Sequence, residues 1–243
     1  MAKVKPTVSS IAERLKNKDF PYAHTVWQEL RQILIFLAVI WGLYIIDWAT
    51  GRWISSHLGL VPRTLKGILG IAAMTFLHAD WEHIVGNTGP LFVLLCLLAG
   101  SRAQSWRIVL YICGVGGALL WLFGSPFSIF SSQSTAHIGA SLLVFGLITF
   151  LISSGYFERR PIPMIIAVVV GFLYGFTLIL GIIPKIGSRE SWDGHLSGAV
   201  AGVIVAFWLI KQPKSMQDVW DAIPKRKARA SRAASTVDSS EIV

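Results

Sequence analysis

Four polar side chains stand where the chain is otherwise apolar, and their types suit one chemistry. His83 and Asn87 lie four residues apart near the start of one apolar stretch, Ser141 opens a second, and His195 opens a third. Residues four apart share a helix face, so His83 and Asn87 can aim donors at a common point. A hydroxyl, a histidine to take its proton and two further donors for an oxyanion form the parts list for acyl transfer. Each residue alone has a plainer use. A serine in a spanning helix usually packs and bonds its own backbone. His195 alone reads as an interfacial histidine at a helix end, and the His83–Asn87 pair as an interhelical polar clamp. Gly198 and Gly202, three and seven residues after His195, form a small-xxx-small pair that lets another backbone come close. A metal fits less well, because no H-E-x-x-H occurs and two histidines with one asparagine make a weak zinc set. No metal or other cofactor is expected.

The elements that must position these residues are spanning helices. Of the 243 residues 53% are apolar and 14% are charged, and the mean hydropathy is +0.60, whereas a soluble domain carries about 25% charged residues. Residues 108–157 contain no charge at all. This excludes a soluble enzyme, a disulfide-stapled secreted domain and a disordered chain. Cys96 and Cys113 lie inside apolar stretches and read as small hydrophobes. A span needs about 20 apolar residues. Six are predicted: Gln32–Ala49, His83–Gly100, two within the charge-free run near 107–124 and 139–155, Pro161–Pro184, and Gly194–Ile210. The polar segment Ser125–Thr135 separates the third from the fourth. No signal peptide is evident in the polar first 30 residues, so the first span is expected to remain as an anchor.

Placing the N-terminus in the cytoplasm puts 17 of the 22 Lys and Arg residues on that side, in both tails and in the loops at 102–107 and 158–160. The positive-inside rule therefore favours both termini cytoplasmic in a multi-pass protein of the cell membrane. Even-numbered spans then run from outside to inside, so His83, Asn87, Ser141 and His195 all fall within about two turns of the outer end. Residues 1–30 read as a cytoplasmic tail and 31–211 as the membrane domain. Segment 51–81 reads as a long outer-face loop lying partly in the interface, where Trp53 suits it. Residues 212–243 form a basic cytoplasmic tail, with a short interfacial helix at 214–223 and disorder beyond it. Its cluster of Lys225, Arg226, Lys227, Arg229 and Arg232 suits anionic lipid rather than nucleic acid.

Three motifs now stand in order: H-x4-H-x3-N at His78, His83 and Asn87; G-x-S at Gly139 and Ser141; and H-x2-G-x3-G at His195, Gly198 and Gly202. In this order and on these spans they resemble the rhomboid family of intramembrane serine proteases, over roughly residues 31–211. The resemblance implies a six-helix bundle and a Ser141–His195 dyad without a carboxylate. It further implies an oxyanion site made by the side chains of His83 and Asn87 and the Ser141 N–H. Substrates would be single-pass membrane proteins that approach through the bilayer and are cut near its outer leaflet. The chain departs from the family pattern twice. Leu142 follows the serine where the family usually has glycine, and Phe145 stands where a tyrosine often stacks on the catalytic histidine. Phe145 can still stack. Leu142 could narrow the gap between the fourth and sixth spans or simply face elsewhere, and it supports an alternative reading as a catalytically inactive rhomboid-like protein that binds membrane clients. A transporter would instead spread its polar residues through both leaflets.

Overall fold

A computed structural model describes residues 21–101, 105–125, 127–128, 131–134, 136–184 and 191–210. The first twenty residues of the predicted N-terminal tail lie outside this set, as does the basic C-terminal tail with its interfacial helix. Among the described residues six helices are long and apolar enough to cross a bilayer, so the chain is a multi-pass membrane protein. They are α1 (Pro21–Ala49), α4 (Trp81–Ser101), α5 (Ser105–Phe123), α6 (Ser141–Glu158), α7 (Pro161–Gly181) and α8 (Trp192–Ile210). The first starts at Pro21 rather than Gln32, since a helix need not stop where its apolar stretch does.

The predicted loop at 51–81 contains two short helices, α2 (Trp53–Leu58) and α3 (Leu65–Ala73), and a 3-10 turn at Met74–Phe76. Thr64 starts α3 by accepting the Gly67 N–H on its hydroxyl (3.0 Å), the usual service of a threonine cap. Between α5 and α6 a small antiparallel pair forms from β1 (Phe127–Ser128) and β2 (Ser131–Ser134).

Helix α6 is the centre of the bundle. Every residue from Leu142 to Leu151 is buried, and α6 packs against α4, α5, α7 and α8. A helix that is apolar all round must be enclosed by protein or lipid. Helix α7 takes the opposite position, with only Pro163 and Val170 buried. Helix α1 lies against α4, where the Trp41 indole N–H donates to the Thr88 hydroxyl (3.2 Å).

Asp47, near the end of α1, shows why a carboxylate survives in a span. Its Oδ1 accepts the Ser55 N–H (3.0 Å), and the Arg52 guanidinium lies 3.6 Å from Oδ2. Arg52 also donates to the His78 carbonyl (2.8 Å) and covers the Tyr44 ring. A buried charge that is paired and hydrogen-bonded avoids most of the cost of desolvation. The same arginine ties the end of α1 to the stretch that leads into α4.

Candidate active site

Ser141 is the first residue of α6, with Ala140 as its N-cap. The stretch before it is held residue by residue. His137 pairs with Leu60 through both main-chain bonds (2.7 and 3.0 Å), and the Gly139 N–H donates to the Met74 carbonyl (2.9 Å). The Ala140 N–H reaches His78 Nε2 at 3.4 Å. Gly139 has φ +123°, and a Cβ there would lie 2.5 Å from His83 Nε2. Only glycine takes this backbone freely, and only glycine lets the His83 ring lie on it. His83 is thereby brought beside the chain two residues before the serine.

The other half of the site comes with α8. Its first turn carries His195, whose ring stacks face to face on Phe145 (centroids 4.1 Å apart, planes within 4°). Phe145 stands one turn after Ser141 on the same face of α6. His195 Nδ1 lies 2.9 Å from the carbonyl of Gly181, the last residue of α7. A carbonyl only accepts, so Nδ1 carries a proton, and the neutral ring then has its lone pair on Nε2.

Glycines set the distance between the two helices. A Cβ on Gly198 would meet the Leu142 carbonyl oxygen at 2.1 Å, and one on Gly202 would meet the Gly146 carbonyl oxygen at 2.1 Å. Leu142 with Gly198 and Gly146 with Gly202 define a parallel crossing at backbone contact. The Thr149 hydroxyl reinforces it by donating to the Ala199 carbonyl (2.8 Å). Since Ser141 and His195 both precede these contacts, they lie toward the same end of the bundle.

Asn87 is buried, and its amide donates to the His83 carbonyl (2.9 Å). Asp80 accepts the His83 N–H (2.8 Å) and so caps the start of α4. His78 is buried edge-on to the His83 ring at 5.1 Å. Burial, and after it the neighbouring His83, lowers its pKa to about 4. A neutral His78 can accept the Ala140 N–H at Nε2, which links the H-x4-H-x3-N segment to the start of α6.

The structure brings the residues singled out in the sequence into linked contacts: His78 with His83 and Ala140, Asn87 with the His83 main chain, His83 with Gly139 two residues before Ser141, and Phe145 with His195. His83, Gly139, Phe145 and His195 line up around the first turn of α6, while Gly198 and Gly202 form the crossing beneath it. Leu142 turns elsewhere. It is buried, packs against Gly116 of α5, and belongs to a cluster with Leu60, Met74 and Leu120. Its bulk therefore fills the interface between α6, α5 and the α3 region, while its main chain is what Gly198 of α8 meets. The sequence did not reveal Gly181, because every residue has a carbonyl and nothing in the residue type marks one as a partner for His195.

A Rhomboid domain model matches residues 66–212. The chain is 39% identical to an uncharacterized protein of Mycobacterium tuberculosis over 206 residues, covering 83% of this chain and 79% of that one. It is 37% identical to an uncharacterized protein of Mycobacterium leprae over 208 residues (84% and 76%). It is also 26% identical to the chloroplastic rhomboid-like protein 11 of Arabidopsis thaliana over 155 residues (59% and 53%).

Proposed function

The chain belongs to the rhomboid family, and on that footing we propose that it is an intramembrane serine endopeptidase. Ser141 Oγ attacks the scissile carbonyl. His195 Nε2 takes its proton and later returns it to the leaving amine. No carboxylate is needed to orient the ring, since the Gly181 carbonyl holds Nδ1–H and Phe145 holds the plane. The His83 side chain, the Asn87 amide and the Ser141 N–H bind the oxyanion, where one well-placed donor contributes about 3 kcal/mol. The positive end of the α6 dipole adds to this. Substrates are transmembrane segments of single-pass proteins, which reach the site through the bilayer. With both termini cytoplasmic, as the Lys and Arg placement favours, cleavage falls near the outer leaflet of the cell membrane.

The observation that carries this reading is the His195 ring: stacked one turn from Ser141, with Nδ1 committed to a carbonyl and Nε2 left as the basic nitrogen. The inactive, client-binding alternative drew its support from Leu142. That side chain packs toward α5, so its bulk gives no reason to doubt the dyad. The test is labelling by a fluorophosphonate probe in membranes, together with cleavage of a membrane-anchored reporter. Wild type is expected to label and to cleave, and Ser141→Ala and His195→Ala each to do neither. Labelling or cleavage that persists in Ser141→Ala would end the proposal. A wild type that never labels, yet captures membrane clients as well as Ser141→Ala does, would favour the alternative.

A further inference from the structure

A second polar cluster stands beside the dyad and has no part in the chemistry above. The His137 ring sits with Nδ1 2.8 Å from the Ser191 hydroxyl and Nε2 3.0 Å from the Ser125 carbonyl. The carbonyl can only accept, so Nε2 carries a proton. The Ser191 hydroxyl reaches Asp193 Oδ1 at 2.7 Å, and the His137 ring itself lies 3.8 Å from that oxygen. Asp193 Oδ2 accepts the Ser125 N–H at 2.9 Å. Both main-chain groups of Ser125 are therefore taken by the cluster, one by a ring and the other by a carboxylate.

What these groups join is the informative part. His137 is four residues before Ser141, in the stretch that Leu60, Met74 and His78 pin in place. Asp193 is two residues before His195. Ser191 precedes the first residue of α8, and its hydroxyl accepts the Gly194 N–H (3.1 Å) while its carbonyl accepts the His195 N–H (3.0 Å). The turn that carries His195 is thus built on Ser191, and Ser191 is held by the His137 ring. Ser125 brings in the end of α5 as a third strut.

From this geometry we infer that His137, Ser191 and Asp193 are positioning residues that set where His195 stands relative to Ser141. The inference rests on the dyad reading. The glycine crossing fixes how closely α6 and α8 approach, but it lies on the far side of the dyad from the helix starts. Helix ends fray unless their free N–H groups find partners. A latch tying the start of α8 to the residues just before α6 holds the dyad from its other side. A misplacement of about 1 Å at a reacting centre can cost about 10²-fold in rate, so even a partial loosening is measurable.

The experiment uses the full chain in lipid nanodiscs and a fluorophosphonate probe, with the maximal inactivation rate and the half-saturating probe concentration measured separately. His137→Gln and Asp193→Asn are each expected to lower the maximal rate about tenfold while the half-saturating concentration stays within about twofold. The double variant should be no slower than the slower single, because the two groups act through one network. Ser191→Thr, which keeps the hydroxyl, should retain the wild-type rate, and Ser191→Ala should lose it. Hydrogen exchange read by mass spectrometry gives a second readout that needs no activity. In His137→Gln the amides of residues 193–197 should exchange at least tenfold faster, with residues 200–210 unchanged. Singles within twofold of wild type, losses that multiply in the double, or equal acceleration along the whole helix would overturn the inference. If wild type does not label at all, the protease reading fails. Exchange at 193–197 then decides the latch by itself: faster exchange in His137→Gln supports it, and unchanged exchange refutes it.

Discussion

Gly198→Ala is the sharpest test of how the two helices are set. An alanine Cβ at this position would lie 2.1 Å from the Leu142 carbonyl oxygen, 2.9 Å from its carbon and 3.1 Å from its Cα. All three atoms are main chain, so no side-chain rotation can relieve the contact. A carbon rests against a carbonyl oxygen at about 3.3 Å or more, and α6 and α8 must part by roughly 1 Å to reach that. Overpacking of this kind costs about 1–3 kcal/mol. The displacement also falls next to Ser141 and one turn from His195, where about 1 Å is worth up to about 10²-fold in rate. Gly171→Ala in α7 is the matched control, since a Cβ there meets nothing within 4 Å and alanine is the better helix former by up to about 1 kcal/mol. Thermal melting in detergent and the fluorophosphonate labelling rate per folded molecule are the two assays. Gly198→Ala should melt lower and label at least tenfold more slowly, whereas Gly171→Ala should match or exceed wild type in stability. A Gly198→Ala protein that melts and labels like wild type would refute the close crossing.

The pH dependence of stability should carry the mark of His78. Its pKa is lowered to about 4 in the fold, against about 6.5 in an unfolded chain, so the folded state favours the neutral ring. That contribution is complete above pH 6.5 and is lost as the pH falls toward 4, at about 1.4 kcal/mol per pH unit, for a total of about 3 kcal/mol. Melting of wild type and His78→Asn across this range checks it, and an equally steep fall in both would discount the residue. Leu142→Ala should destabilise the protein by about 2–5 kcal/mol, the usual cost of emptying a buried leucine site, while the folded fraction labels within a few-fold of wild type. A stable variant with a collapsed labelling rate would instead place that side chain in the site.

Much of the architecture is legible in the amino-acid sequence, for a simple reason. A bilayer demands about 20 apolar residues per crossing, and the six stretches from the first to Gly194–Ile210 supply them without competition. Their ends were less readable. Pro21–Arg31 is too polar to signal a span, yet the helix continues through it. The short apolar stretch after Thr64 could not declare itself as α3, because ten or so residues suit a strand, a loop or a helix turn equally well. At the candidate site, residue types pointed to His83, Ser141 and His195, since a bilayer tolerates such groups only where they have partners. The direction of the Leu142 side chain depended on how α5 packs, which no local pattern encodes. His137 and Asp193 stand at span ends in the sequence, but their common partner Ser191 lies 54 positions along the chain from the ring it touches, and no local pattern links them.

The acceptor for His195 Nδ1 is a main-chain oxygen, and that limits how it can be probed. Replacing Gly181 keeps a carbonyl at that position of the chain, but any larger residue there strikes the Phe145 ring, 2.2 Å from where its Cβ would stand, and so disturbs the stacked imidazole for a separate reason. Alanine scanning therefore cannot separate the loss of this acceptor from that clash, however strongly the imidazole depends on the oxygen. An ester in place of the peptide link between residues 181 and 182 would do what no encoded amino acid can. It would weaken the oxygen as an acceptor while leaving every side chain untouched.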